Sequence, residues 1–189
     1  MSKITPARRK PTTGRVTKST KSQSITSQQA PKATVGVPHM PAMYLGKKRE
    51  TFLPWSHAEE RLVRSRNYWI CTSRPDGRPH SIPVWGFWHD GALYFGTHCD
   101  TRKAKNIRDN PRVSVHLESG DDVVILEGDA EAIDPKALAK ELDAVSRKKY
   151  GMPMMVMPES VLYRVRPRTV LAWTEKEFPN NSTRWEFNT

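Results

Sequence analysis

The sequence predicts a mainly β protein with flanking helices, built as a small antiparallel barrel. One observation is a series of short runs rich in aromatic and β-branched residues, at positions 68–72, 80–88, 92–97, 112–117 and 123–133. Another is the turn chemistry between them. Arg74-Pro75-Asp76-Gly77-Arg78 presets one turn through proline and tolerates positive φ at Asp-Gly, and His89-Asp90-Gly91 carries the Asp-Gly hairpin signal. The last is that a single helical insertion, after Asp100, interrupts the series. A parallel sheet needs a long crossover at each step, so short hairpins favour an antiparallel barrel.

At 189 residues the chain has room for one ordinary domain and a tail, and its net charge of +11 is unevenly placed. Residues 1–38 hold eight cations and no acids, which leaves 23 cations against 20 acids in the rest. The folded part is nearly balanced and gives no global reason to expect nucleic acid. Residues 1–38, rich in Ser, Thr, Lys and Pro, read as a disordered basic tail, with the folded domain at 39–189. That tail is passive, or an arm for anionic partners, or the product of a misplaced start ahead of Met40 or Met43. No run has the length of a membrane span and no leader is visible, so a soluble cytoplasmic protein is expected. Two cysteines, Cys71 and Cys99, make no disulfide framework.

The elements follow in order. Ser56-His57-Ala58-Glu59 has capping-box spacing, predicting a helix to about Arg66, with Phe52, Leu53 and Trp55 as apolar anchors before it. In the strand 80–88, alternation puts His80, Ile82 and Val84 on one face and Ser81, Pro83 and Trp85 on the other. Pro83 belongs at an edge or a bulge, leaving either a gap where a ligand lies or a plain edge strand. Gly128 marks a bulge in the long strand 123–133. Asp134-Pro135 opens a helix whose buried stripe is Leu138, Leu142 and Val145. Residues 151–158, with four methionines and two prolines, form an adaptable apolar loop that lines a pocket or a subunit interface. Strands at 161–165 and 169–173 and a packed aromatic segment, Thr183 to Phe187, complete the chain.

The helix between the strands 92–97 and 112–117 has an unusual charge pattern. Thr101 or Asp100 caps it, and Asn110-Pro111 ends it. Acids ordinarily favour the first turn and cations the last, yet Arg102, Lys103 and Lys105 crowd the start and Asp109 sits near the end. Such a helix is either a solvated basic face or a phosphate holder, since its N-terminus already offers unpaired N–H groups. The other chemistries are weak. The histidines lack zinc-type spacing, so no metal is expected; Cys99 is a passive thiol or one activated by the helix start; Ser73 and Ser81 have no adjacent base.

Taken together, the Gly77-Arg78-Pro79 turn, the Pro83-Val84 strand, the Gly96-Thr97 strand end and Thr101-Arg102-Lys103-x-x-Asn106-x-x-x-Asn110-Pro111 resemble the pyridoxamine 5′-phosphate oxidase-like split β-barrel superfamily. Within it the chain is most similar to the flavin/deazaflavin-dependent oxidoreductases. The resemblance implies an FMN-binding type of split β-barrel, homodimeric, with FMN or coenzyme F-420 in clefts at the dimer interface. It implies a phosphate held near Thr101, Arg102 and Lys103, and a ring resting against His80, Ser81, Ile82, Pro83, Val84 and Trp85. Gly96 and Thr97 would complete the wall and Asn106 would tie the helix down. It also suggests that Arg184 and Trp185 reach the partner's cleft, and that Lys105 and Arg108 suit the longer anionic tail of F-420. No catalytic side chain is implied, the hard chemistry being the cofactor's. The vitamin-substrate signature near the chain end is absent, so a small organic substrate other than vitamin B6 is expected. The competing expectations are a non-catalytic flavin- or haem-binding protein on the same barrel, and an anionic-polymer binder using the basic arm.

Overall fold

The computed structural model describes residues 32–44, 51–155 and 157–188. Its strands are β1 (Ala33–Gly36), β2 (Asn67–Ser73), β3 (Pro79–Trp85), β4 (Phe87–His89), β5 (Ala92–His98), β6 (Arg112–His116), β7 (Asp122–Ile133), β8 (Ser160–Thr174) and β9 (Thr183–Phe187). The α-helices are α1 (Trp55–Arg64), α2 (Arg102–Asp109) and α3 (Ala139–Tyr150). The main path through the sheet is β1-β9-β8-β7-β6-β2-β3, every pair antiparallel. β8 forks it: one half pairs with β5, the other with β9, while β7 runs alongside both. β4 continues from β5, and β3 lies near β5 without sharing a ladder with it. The antiparallel barrel is therefore split where β3 and β5 face each other.

Alternation builds the core. β2 buries Tyr68, Ile70 and Thr72 on one face, and Tyr68 and Ile70 join Phe95, Leu93, Val115, Leu126 and Val165 in the core of the barrel. β5 buries Ala92, Leu93, Tyr94 and Phe95 in succession, because α3 covers its outer side. There Leu142 packs with Phe87, Ala92, Tyr94 and Leu162, and Leu138 and Val145 pack against that cluster. Asp90 and Gly91 both take positive φ, as the Asp-Gly hairpin requires.

Several boundaries differ from the sequence expectation. α1 begins at Trp55, with Pro54 in the cap position and no side-chain cap bond, so Ser56 and Glu59 form no capping box. The Trp55 ring lies 5.5 Å from Trp185, 5.3 Å from Phe187 and 6.3 Å from Trp88, and this packing outweighs a cap bond. The expected strands at 161–165 and 169–173 are one strand. Its irregularity lies opposite Gly128, as the bulge there predicts, and a Cβ on Gly128 would stand 2.2 Å from the Arg166 carbonyl oxygen. The tail boundary also moves. Residues 1–31 lie outside the described residues, but Ala33–Gly36 pairs with β9. This uncharged stretch satisfies backbone groups along β9's outer edge. The helix expected after Asp134 opens as a 3-10 turn, with the Asp134 carboxylate accepting from the Lys136 N–H at 2.9 Å.

The strand expected at 80–88 is broken at Gly86, where the chain leaves β2's ladder for that of β5. A Cβ there would lie 2.9 Å from the Tyr94 carbonyl oxygen and 3.1 Å from the Tyr68 ring. The end of α3 satisfies the corner. The Gly86 N–H donates to the Tyr150 hydroxyl at 2.9 Å, and the Lys149 ammonium donates to the Gly86 carbonyl at 3.0 Å and to the Tyr68 hydroxyl at 2.7 Å.

Lys149 has no carboxylate partner among the described residues, and burial lowers its pKa from 10.5 to about 8. The unfolded chain therefore binds more protons than the native one between those values, and stability rises with pH across that window. Relative to Lys149→Met, the native protein gains about 1–2 kcal/mol of unfolding free energy between about pH 8 and pH 10, after a discount for solvent screening. Urea unfolding at the two pH values measures this, and a pH-independent difference contradicts it.

Candidate functional site

α2 sits at the end of β5 and is fixed by its own cap and one buried amide. Thr101 is the cap: its hydroxyl accepts from the Ala104 N–H at 3.4 Å and donates to the His98 carbonyl at 2.9 Å. The Thr97 hydroxyl lies 3.0 Å from it, joining strand end to helix start. Asp100 instead pairs with Lys105 at 3.4 Å. Ala104 and Ile107 pack into the core. The fully buried Asn106 donates to the Thr72 hydroxyl on β2 at 2.9 Å, while its Oδ1 finds no partner among the described residues.

The inward turn of α2 also carries Lys103, only 8% exposed. Its ammonium has no hydrogen-bond or ion-pair partner among the described residues, and burial holds its pKa below the ordinary lysine value. His80, across on β3, is held below the usual imidazole range by burial and then by Arg74, Lys103 and Arg102. The first turn of α2 contains no acid. Arg74, Arg102, Lys103 and a helix N-terminus thus share one region in which the Asp100 carboxylate pairs with Lys105 and none of the ion pairs among the described residues involves these three cations, and an anion suits this arrangement.

Beside it lies a cavity of about 380 Å³. Trp85, Gly96 and Thr97 form one wall, and α3 with the methionine loop forms the other. Trp85 is exposed and stacks on Tyr150 at 4.8 Å with an 11° interplanar angle.

A family model described as pyridoxamine 5′-phosphate oxidase matches residues 55–174. The chain belongs to the pyridoxamine 5′-phosphate oxidase family. Among solved structures, the conserved hypothetical protein Rv2991 from Mycobacterium tuberculosis is 28% identical with a TM-score of 0.58, over 68% of this chain and 89% of that one. A FAD-binding protein from Mesorhizobium loti shares the fold at 22% identity and a TM-score of 0.52, over 70% and 95% of the two chains. An F420 reductase is 26% identical with a TM-score of 0.49, over 59% and 94%. No curated protein matches the chain. No helix among the described residues is long and apolar enough to cross a membrane.

Within this member of the pyridoxamine 5′-phosphate oxidase family, the residues expected to bind cofactor fall into two groups. His80, Arg102, Lys103 and the Thr97–Thr101 pair gather at the α2 start, while Trp85, Gly96 and Thr97 line the cavity. β3 is an edge strand, as Pro83 requires, but it does not present its six residues as one wall. His80, Ile82 and Val84 are half-buried, whereas Ser81, Pro83 and Trp85 lie on the exposed face, Ser81 3.2 Å from Cys71 Sγ. Asn106 holds the helix, through Thr72, which the sequence does not reveal because 34 residues separate them. Arg184 and Trp185 do not form an outward arm: Trp185 is 3% exposed in the core and Arg184 lies 3.5 Å from Glu186 on the same strand.

The sequence also gave no sign of Lys149, Tyr150 or Glu159 at this end of the molecule. Glu159 joins His98 and Cys99, their donor atoms lying within 4.8 Å of one another. The His98 ring is already engaged by the protein, Nε2 lying 3.1 Å from Glu159 and Nδ1 accepting from the Asp100 N–H at 3.2 Å.

Thr72→Val leaves the buried Asn106 amide without its partner. It should lower stability by about 1–3 kcal/mol in urea unfolding and loosen α2, read as faster amide exchange in residues 104–109. Unchanged stability and exchange contradict the anchoring role.

Proposed function

We propose that the protein is an oxidoreductase that uses FMN or coenzyme F-420, held with its phosphate at the first turn of α2, and moves a hydride to or from a small organic substrate. The observation that carries this reading is Lys103, a side chain packed away along its length whose ammonium no described residue pairs, at the positive end of a helix dipole. A cation partly withdrawn from water and without a counter-charge costs stability, and a phosphate would compensate it with charge-assisted bonds. The residues therefore fit a phosphorylated cofactor. Membership of the pyridoxamine 5′-phosphate oxidase family supports the same choice.

Such a cofactor supplies the hydride chemistry when bound. The chain supplies position. Arg102 and Lys103 would hold the phosphate, aided by the free N–H groups at the start of α2. The Thr97–Thr101 bond keeps the strand end against the helix, and Asn106 keeps the helix on the barrel. β3 offers its edge backbone and Trp85 to the ring. No side chain is assigned a proton-transfer role. The reading expects a cytoplasmic homodimer with its clefts between subunits. It does not include vitamin B6 oxidation, because Thr183 to Phe187 does not carry the vitamin-substrate signature.

Absorbance titration with FMN and with coenzyme F-420 should show saturable binding of one of them. Lys103→Met should weaken that binding at least tenfold, about 1.4 kcal/mol, while raising the stability of the cofactor-free protein. Binding of neither cofactor overturns the proposal, as does a variant that loses stability and keeps full affinity.

A further inference from the structure

We propose that His98, Cys99 and Glu159 form a binding site for one zinc ion, where the end of β5 meets the start of β8. The site stands on these three side chains and is independent of the cofactor reading.

Among the described residues, this group alone brings an imidazole, a thiol and a carboxylate together, one donor atom from each lying within 4.8 Å of the others. The local backbone explains how. Successive side chains of a strand point to opposite faces, but β5 ends at His98, and the turn that follows lets Cys99 reach the same point as its neighbour. Glu159 comes from the opposite side of the ladder. It precedes Ser160, which pairs with His98, and its carbonyl accepts from the Cys99 N–H at 2.8 Å. Its φ is +58°, a conformation that glycine takes freely and other residues rarely. A glutamate holds this position nonetheless, and its carboxylate ends 3.1 Å from His98 Nε2. The spacing of the histidines in the sequence gives no hint of the set, because 61 residues separate His98 from Glu159.

The donors select the ion. Magnesium and calcium take oxygen ligands, whereas thiolate, imidazole and carboxylate together suit zinc. Charge agrees with this choice. Thiolate and carboxylate cancel the two charges of the ion, and a neutral imidazole adds none. That balance is needed here, because Arg108 reaches the Cys99 carbonyl at 3.5 Å and the nearby Asp100 carboxylate is already paired with Lys105. Ligand atoms around tetrahedral zinc stand roughly 3.3–3.5 Å apart, so the widest donor pair has roughly 1.5 Å or less to close. The His98 and Glu159 side chains are 45% and 71% exposed, and rotating them disturbs no core packing. On binding, the Cys99 thiol releases its proton to solvent. The His98 ring proton moves from Nε2 to Nδ1, the ion takes Nε2, and the 3.2 Å contact from the Asp100 N–H is given up. Three protein ligands leave the fourth position to water. The ion would clamp the residue after the methionine loop onto the strand that feeds α2.

The test titrates the purified full chain, freed of metal with EDTA, with ZnCl2 by isothermal calorimetry and with CoCl2 by absorbance. The expected result is uptake of one ion per chain and a thiolate-to-cobalt charge-transfer band. Cys99→Ser should abolish that band. Cys99→Ser and Glu159→Gln should each weaken zinc binding at least tenfold, while Cys71→Ser leaves band and affinity unchanged. None of the three positions is buried, and circular dichroism matching the wild type shows that each variant is folded. Absence of zinc uptake by the wild-type chain overturns the proposal. So does a cobalt band that survives Cys99→Ser, or a zinc affinity that Glu159→Gln leaves unchanged.

Discussion

The corner at Gly86 is the constraint from which the site follows. The chain there passes so close to the Tyr94 carbonyl and the Tyr68 ring that a side chain has no room, and it changes ladders in a single residue. A strand that changes ladders strands its own backbone groups, and buried backbone groups must be paired. The last turn of α3 pairs them through Lys149 and Tyr150. Because β4 has gone to β5, β3 keeps an unpaired outer edge, and the barrel stays split. Because α3 is pinned at the same point, Tyr150 backs Trp85 and the methionine loop closes over the gap. One steric restriction thus generates both an open edge and a walled cavity beside it.

The second determinant is electrostatic and works against the stability of the isolated chain. Cations at a helix start oppose the dipole, and packing the Lys103 side chain against the barrel adds a desolvation cost that also holds its pKa below the ordinary lysine value. The helix remains folded onto the barrel because its opposing terms are favourable: Ala104 and Ile107 pack in the core, Asn106 bonds to Thr72, and Thr101 caps. Each burial or bond of this kind contributes on the order of 1–2 kcal/mol. The sum tolerates one misplaced charge, and that charge is then available to a ligand.

Much of this was legible in the sequence, and the exceptions share a cause. The hairpins, the Gly128 bulge, the edge character of Pro83 and the reversed charges of α2 are local facts, written in adjacent residues. Ser56 and Glu59 had the spacing of a cap and lost it because Trp55, one residue earlier, finds three aromatic rings from the distant segments 88 and 185–187. Lys149, Tyr150, Thr72 and Glu159 matter through partners between 34 and 84 residues away, a distance at which periodicity carries no information. β1 was hidden differently: four uncharged residues in a basic tail look like more tail until an open sheet edge is known to be waiting for them.

The central claim is positional: the phosphate of a flavin-type cofactor sits on the first turn of α2. The most direct measurement is a crystal structure of the protein with FMN or coenzyme F-420 bound. The account predicts phosphate oxygens within hydrogen-bond distance of Lys103 Nζ and the N–H groups at the start of α2, with the ring against β3 and Gly96-Thr97. A cofactor whose phosphate lies elsewhere on the barrel, with Lys103 still unpartnered, would contradict it.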